Sequence, residues 1–403
     1  MGPRPVRLRF SGLCGFMDAM EMTRSLLTLL VTTFAAIPMI ASAQTNNKYL
    51  VYVGTYSQRG SQGIYVYRYD AGTGQMTPLG VAAQTKDPSF LVIHPNRKWL
   101  YAVNEGQTYK GQASGGVSAF AIDRATGKLA FLNEVASRGT DPCYIALDRT
   151  GKFALVANYS SGSVAVFPVL ADGRLGEASA FDQHQGSGPN HARQEGPHAH
   201  WIDLSPDNRF ALNADLGLDE ILVYRFDAAK GSLTPNDPPF AKVDPGAGPR
   251  HIAFAPSGKF VYVISEIKAT ITSFSYDPKN GVLKKLEVVP TLPPDFKGEN
   301  TSAEIVIHPN GRFLYVSNRG HDSIALFAID PKSGRLTFVA YTPTQGKEPR
   351  NFEIDPSGTR LFVANQESDN IVEFQIDPKS GRLTPSGQEF KVSAPVCIRF
   401  MAE

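Results

Sequence analysis

The chain has 403 residues, of which 42% are hydrophobic and 19% charged, with 40 lysines and arginines against 38 acidic residues. That hydrophobic content excludes a disordered chain, and a net charge of +2 leaves no electrostatic footprint for nucleic acid or an anionic membrane surface. Three cysteines are too few for a disulfide-stapled scaffold.

Residues 1–43 read as an upstream extension and a secretory signal peptide. From Met20 or Met22, Arg24 precedes an apolar run at 26–41 that is broken by Thr and Pro, and Ala41-Ser42-Ala43 offers a small-residue cleavage site before Gln44. An interrupted run beside a cleavage signature predicts no stable membrane span once the signal is removed, and a periplasmic or secreted location. Cys14 departs with the leader, and Cys143 and Cys397 are expected as free, buried thiols.

Residues 44–403 repeat one pattern. PSFLVIHPNRKWLYAVNE starts at Pro88, and variants of it start at Pro142, Pro197, Pro249, Ser302, Pro349 and, truncated, Pro395. The copy at Pro197 carries two extra residues. Each copy gives a short apolar run, a Pro/Asn/Ser/Gly turn and a second run, and most add a third run and a turn such as Asp330-Pro331-Lys332-Ser333-Gly334 before a fourth. Short runs with these reversals are strands, and four antiparallel strands per repeat make a propeller blade. Second strands are predicted at 50–55, 100–104, 154–158, 210–215, 261–265, 314–318 and 361–365. The first has no inner strand before it, and the last inner strand, at 395–400, has nothing after it. The fold class is therefore all-β, a single seven-bladed β-propeller over 44–403, its ring closed by the C-terminal strand joining the N-terminal blade.

In such a ring, the residues that open each inner strand and those that follow each second strand converge on one mouth of the central channel. The first set holds Ser89, Cys143, the inserted Pro197-His198-Ala199-His200, Arg250-His251, Ala303-Glu304, Arg350-Asn351 and Val396. The second holds Tyr56, Glu105, Tyr159, Leu216, Glu266, Arg319 and Gln366. Ionisable groups from several blades facing one space suit a ligand site, since blade packing does not require them. The segment FDQHQGSGPNHARQEGPHAH at 181–200 breaks the repeat and should overhang this mouth, bringing Arg193. Its histidines, His184, His191, His198 and His200, have spacings of 7, 7 and 2, which match no compact zinc pattern, so no metal is expected. Glycine-rich stretches at 114–116 and 186–188 lack a strand-to-helix setting, so no nucleotide or other cofactor is expected. His94 and His308 occupy the same turn in two copies and are expected to carry no chemistry.

GSGPN at 186–190, RQEGPHAH at 193–200, GPRHIAF at 248–254, SAEI at 302–305, YVSNRG at 315–320, PRNF at 349–352 and VANQ at 363–366 together resemble the seven-bladed propeller lactonase family. That family includes propeller-type 6-phosphogluconolactonase and carboxy-cis,cis-muconate cyclase. The resemblance implies hydrolysis of a small-molecule sugar lactone at the channel mouth, with a carboxymuconate-type lactonising cyclase or an exported non-enzymatic ligand-binding propeller as alternatives. It places catalysis on Glu266, His200 or His198, Arg250 and Arg319, and the mouth-facing positions of the repeat with the overhang add Arg350, Glu304, Glu105, Arg193, Asn351 and Gln366 for substrate binding. Ester opening needs a base for water, donors for the oxyanion and an acid for the alkoxide. Glu266 or a histidine of the 197–200 segment fits the first and last tasks, and the arginines fit the second. No Gly-x-Ser-x-Gly nucleophile elbow occurs.

Overall fold

The computed structural model describes Gly2 and residues 47–403, so the proposed leader, Gly2 apart, lies outside the described residues. The unit Asn46–Glu403 contains seven four-stranded antiparallel sheets, one per predicted blade. Blade 1 is closed as expected: the inner strand Pro395–Ala402 pairs with Lys48–Thr55, from Tyr49 opposite Ala402 to Thr55 opposite Pro395. The first and last described strands are thus joined by a ladder of backbone hydrogen bonds, and the ring has no unpaired inner edge. Among the described residues, no helix is long and apolar enough to cross a membrane.

Period-two patterning fails in the second strands. Phe153–Asn158, Phe210–Asp215, Phe260–Ser265 and Phe313–Arg319 are buried at every position. Each lies between two strands of its own sheet and has a neighbouring blade against either face, so both faces need apolar or fully paired side chains.

Adjacent blades are joined by one recurrent contact. The aromatic residue that opens a second strand packs on the glycine of a turn in the following blade: Trp99 on Gly173, Phe153 on Gly231, Phe210 on Gly281, Phe260 on Gly334 and Phe313 on Gly381. Tyrosines in the same strands then reach the same turns, with Tyr101 Oη donating to Gly173 O at 3.0 Å, Tyr262 to Gly334 O at 3.0 Å and Tyr315 to Gly381 O at 2.7 Å. Where the ring closes, Arg360 takes the aromatic's place against Gly74 and donates to Ala71 O at 2.8 Å. His94 and His308 belong to this bracing as well. Their Nε2 atoms lie 2.9 and 2.8 Å from Gly151 O and Gly358 O in the next blade. A carbonyl only accepts, so each ring donates from Nε2, and each Nδ1 accepts from the backbone of its own turn.

Gly381 sits at φ 72°, and a Cβ there would approach Phe313 Cδ1 to 2.7 Å. Gly258, at φ 67°, has nothing within 4 Å of a Cβ. Gly258→Ala should therefore cost about 1 kcal/mol for its backbone alone, and Gly381→Ala about 2 kcal/mol more for the displaced ring. Urea denaturation of both variants checks this, and equal losses would show that the latch contributes nothing.

Candidate active site

Six of the seven inner strands enter their sheets with an irregularity at the mouth end, the exception being Phe90–Ile93 of blade 2. Register shifts fall between Pro142 and Tyr144, Ala199 and Trp201, Pro249 and His251, Ser302 and Ile305, and Pro349 and Asn351, with a further shift opposite Pro395–Cys397. The skipped residue has no ladder partner and is free to turn its side chain out of the sheet. Those residues are Cys143, His200, Arg250, Ala303 with Glu304, Arg350 and Val396. His200, and not His198, is therefore the counterpart of Arg250. Counting back from Phe210, as from Phe260, would have revealed this: Ala199 and Pro249 each lie eleven residues before the aromatic.

A cavity of about 270 Å³ at this mouth is lined by Glu105, Cys143, Tyr159, Arg193, His200, Glu266, Arg319 and Arg350. Its floor continues between Arg250, His251, Glu304, Asn351 and Val396. Another cavity, of about 320 Å³, adjoins the far ends of inner strands and is lined mainly by their apolar residues with Asp148, Arg149, Asp203 and Arg399. It lacks the convergence of charge seen at the mouth.

Glu266 is the centre of that convergence. Its Oε1 accepts from Arg193 Nη2 at 2.5 Å, while Oε2 lies 2.9 Å from Arg250 Nε and 3.0 Å from Arg319 Nη2. Burial alone would raise its pKa, but Arg319, Arg250 and Arg193 outweigh it and bring the group down to about 2. Arg250 is 2% exposed, and burial together with Arg319 and Arg350 lowers it to about 10. Its Nη1 donates to Ala303 O at 2.8 Å.

Arg350 is placed differently. Its guanidinium lies 5.3 Å from the centre of the Tyr56 ring and makes no hydrogen bond or ion pair with any described residue. Burial opposes its charge, but Tyr56 and Glu105 outweigh this and hold it above the ordinary arginine value. Glu105 accepts from Tyr56 Oη at 3.1 and 3.0 Å. Burial raises the Glu105 pKa, and Arg350, Ser89 and Tyr56 offset only part of that rise.

The histidines divide into three environments. His200 is buried, with Nδ1 3.7 Å from Cys143 Sγ, and burial, Arg250 and His251 press its pKa far down, so the ring is neutral. His251 Nδ1 meets Glu304 Oε1 at 2.8 Å, yet burial holds its pKa at about 4, and its Nε2 accepts from Arg250 Nη1 at 3.3 Å. His198 stacks on Tyr159 with centroids 4.6 Å apart, and its Nδ1 donates to Tyr159 O at 3.1 Å. It borders the cavity through Tyr159 without lining it.

Glu304 and Asn351 brace the floor. Asn351 Nδ2 donates to Glu304 Oε2 at 2.6 Å, and its Oδ1 accepts from Ile398 N at 2.9 Å. Gln366 is not brought into the cavity, because its Nε2 donates to Glu367 Oε1 at 2.8 Å on a short turn. Tyr56, Tyr159, Cys143 and His251 carried no role in the sequence reading. Their positions in the repeat were the available signal. Cys143 and Cys397 are free and buried. Among the described residues, no group of three or more His, Cys, Asp or Glu is arranged to hold a metal.

A family model described as lactonase, 7-bladed β-propeller, matches residues 50–400. The chain is 39% identical to a 6-phosphogluconolactonase of Bacillus subtilis over 355 residues, 88% of this chain and 99% of that protein. It is 35% identical to a 6-phosphogluconolactonase of Formosa agariphila over 309 residues, 76% of this chain and 86% of that protein. Among solved structures, the periplasmic gluconolactonase PpgL of Pseudomonas aeruginosa superposes with a TM-score of 0.83 at 37% identity, covering 88% of this chain and 99% of that one.

The depressed pKa of Glu266 sets a stability test. Its contribution is complete above about pH 4.5 and is lost as pH falls from 4.5 towards 2, because the unfolded state then binds the proton more readily. Glu266→Gln should cost about 3–5 kcal/mol at pH 7 by leaving buried arginines unpaired, and should flatten this acid limb. Urea denaturation between pH 3 and 7 measures both, and an unchanged acid limb would refute the assignment.

Proposed function

The chain belongs to the seven-bladed β-propeller lactonases, and we propose that it opens a sugar lactone by hydrolysis at the channel mouth, in the manner of a 6-phosphogluconolactonase. The observation that carries this reading is the uncommitted guanidinium of Arg350 beside the Glu105 carboxylate in one cavity. Four arginines, Arg250 at the floor included, face three carboxylates, Glu105, Glu266 and the floor's Glu304, so the site favours added negative charge. That is what an oxyanion, and then an aldonate product, supplies.

Glu105 and Glu266 take different parts. A carboxylate held at about 2 by three arginines is a poor base near neutral pH, so Glu266 fixes the arginines in place. Glu105, its pKa raised by burial and its carboxyl beside Arg350, removes a proton from water as hydroxide adds to the lactone carbonyl carbon. The carbonyl oxygen becomes an oxyanion against Arg350, whose donors are already oriented for it. As the bond from that carbon to the ring oxygen breaks, neutral His200 donates a hydrogen bond to the leaving oxygen, and Glu105 returns its proton there. Arg250 and Arg319 give the cavity its remaining positive field, and Arg193, reaching in from the 181–200 overhang, covers it. His198 acts through its stack on Tyr159, and Glu304 with Asn351 keeps the floor rigid.

The location follows from the same reading. A leader at 1–43 ending in Ala41-Ser42-Ala43 exports the propeller, and the likeness to a periplasmic gluconolactonase supports that route. An exported enzyme meets unphosphorylated lactones, so gluconolactone is the first substrate to test.

Lactone opening is followed by proton release on gluconolactone and 6-phosphogluconolactone, with spontaneous opening subtracted. Arg350→Ala should lower kcat/KM by about 10²–10³-fold and Glu105→Gln by at least about 10²-fold, with both proteins folded. The acid limb of kcat/KM should lie above the ordinary glutamate value and disappear in Glu105→Gln. Wild-type rates in Glu105→Gln would rule out this base.

A further inference from the structure

Blade 2 departs from the others at the mouth. The link between second and third strands has three or four residues in blades 3–7 and seven in blade 1, but eleven in blade 2, at 105–115. The additional residues form a hairpin, Thr108–Tyr109 against Gln112–Ala113. Tyr109 Oη donates to Glu134 O at 2.9 Å, which ties the hairpin to the outer strand of its own blade. Beneath the hairpin runs a groove of about 550 Å³ that shares Glu105 with the channel-mouth cavity.

The groove has its own chemistry. Its lining contains no arginine and one cation, Lys86, while Lys110 at the hairpin tip lies over the Tyr109 ring at 4.9 Å and draws the Glu134 pKa down against the rise that burial causes. Glu134 is half-buried there, and its carboxylate accepts no hydrogen bond and joins no ion pair with any described residue. Gly116 leaves room for that group, since a Cβ would come within 3.0 Å of Glu134 Cδ. Gln107, Thr108 and the Tyr109 ring complete a neutral, hydrogen-bonding wall. Two carboxylates repel a phosphate but accept well from neighbouring hydroxyls, and an aromatic ring suits a sugar's C–H face. The mouth cavity alone is smaller than the about 300–1,000 Å³ usual for small-molecule sites, and the two spaces together reach that range.

We propose that this groove binds a second sugar unit, so that the preferred substrate is the lactone of an oxidised disaccharide. The lactone ring occupies the channel mouth and the glycosyl unit lies under the blade 2 hairpin. Water adds to the lactone carbonyl carbon, the bond to the ring oxygen breaks, and the product is the free aldobionic acid with its glycosidic bond intact. This rests on the lactonase reading above.

The test compares kcat/KM on cellobionolactone, maltobionolactone, gluconolactone and 6-phosphogluconolactone, and measures calorimetric binding of cellobionate and gluconate. At least one disaccharide lactone should be preferred over gluconolactone by about tenfold or more, mainly through KM. That ratio should fall at least about fivefold in Tyr109→Ala and in Glu134→Gln, two variants that perturb the hairpin to different degrees. Opening of gluconolactone with no disaccharide preference would overturn the groove and keep the lactonase. A preference unchanged in both variants would also overturn it. Opening of no lactone, with cellobionate still bound more tightly than gluconate, would sink the lactonase reading and support the groove. A preference for 6-phosphogluconolactone that is lost in Lys86→Gln would overturn the proposal in favour of an anion subsite.

Discussion

Three arginines on one buried carboxylate hold the mouth of this channel together. Glu266 follows the second strand of blade 5, Arg250 opens the inner strand of the same blade, Arg319 ends the second strand of blade 6, and Arg193 reaches in from the overhang before blade 4. Any one of these charges alone in the interior would be strongly unfavourable. Together they are neutralised and hydrogen-bonded, and the remaining positive charge is available to a ligand. The arginines are thereby oriented before a substrate arrives, which is where electrostatic stabilisation of a transition state has its advantage.

The ring makes this clamp possible. Side chains separated by more than a hundred residues meet because each inner strand opens at the same mouth and all but that of blade 2 carry an irregularity there. The latches between aromatic rings and turn glycines keep neighbouring blades at a fixed spacing, so a bulge residue in one blade stands at a defined distance from that in the next. Architecture and chemistry use different parts of the repeat. Strand interiors and far-side turns hold the ring, and the mouth-side ends are free to vary from Val396 to Cys143 to Arg350.

Within the mouth, burial sorts similar groups into different tasks. Glu266 is buried and Glu105 half-buried, and three arginines outweigh desolvation at the first while Arg350 and Tyr56 offset it only in part at the second, so their proton affinities move in opposite directions. His200 and His251 are both kept neutral by burial among arginines. A neutral ring donates and accepts without adding to the positive field that Arg350 and Arg250 already supply. The same logic separates Arg350 from the other arginines, since its nearest neighbours are a ring face and a carboxylate that it does not contact directly.

The repeat, the turn chemistry and the unpaired terminal strands were enough, read from the sequence, to specify seven blades, the closure at Pro395 and the set of positions facing the mouth. These features are legible because they recur with a regular spacing, and each copy checks the others. The two-residue irregularity before Ala199 hid which histidine matches Arg250, and only the register of the paired strands decided it. Tertiary structure alone also set the proton affinities of Glu266 and Glu105 apart, left Arg350 unpaired and turned Gln366 away. These outcomes depend on distances between side chains from different blades and on how far each is shielded from water. Neither quantity is encoded in the spacing of residues along one strand.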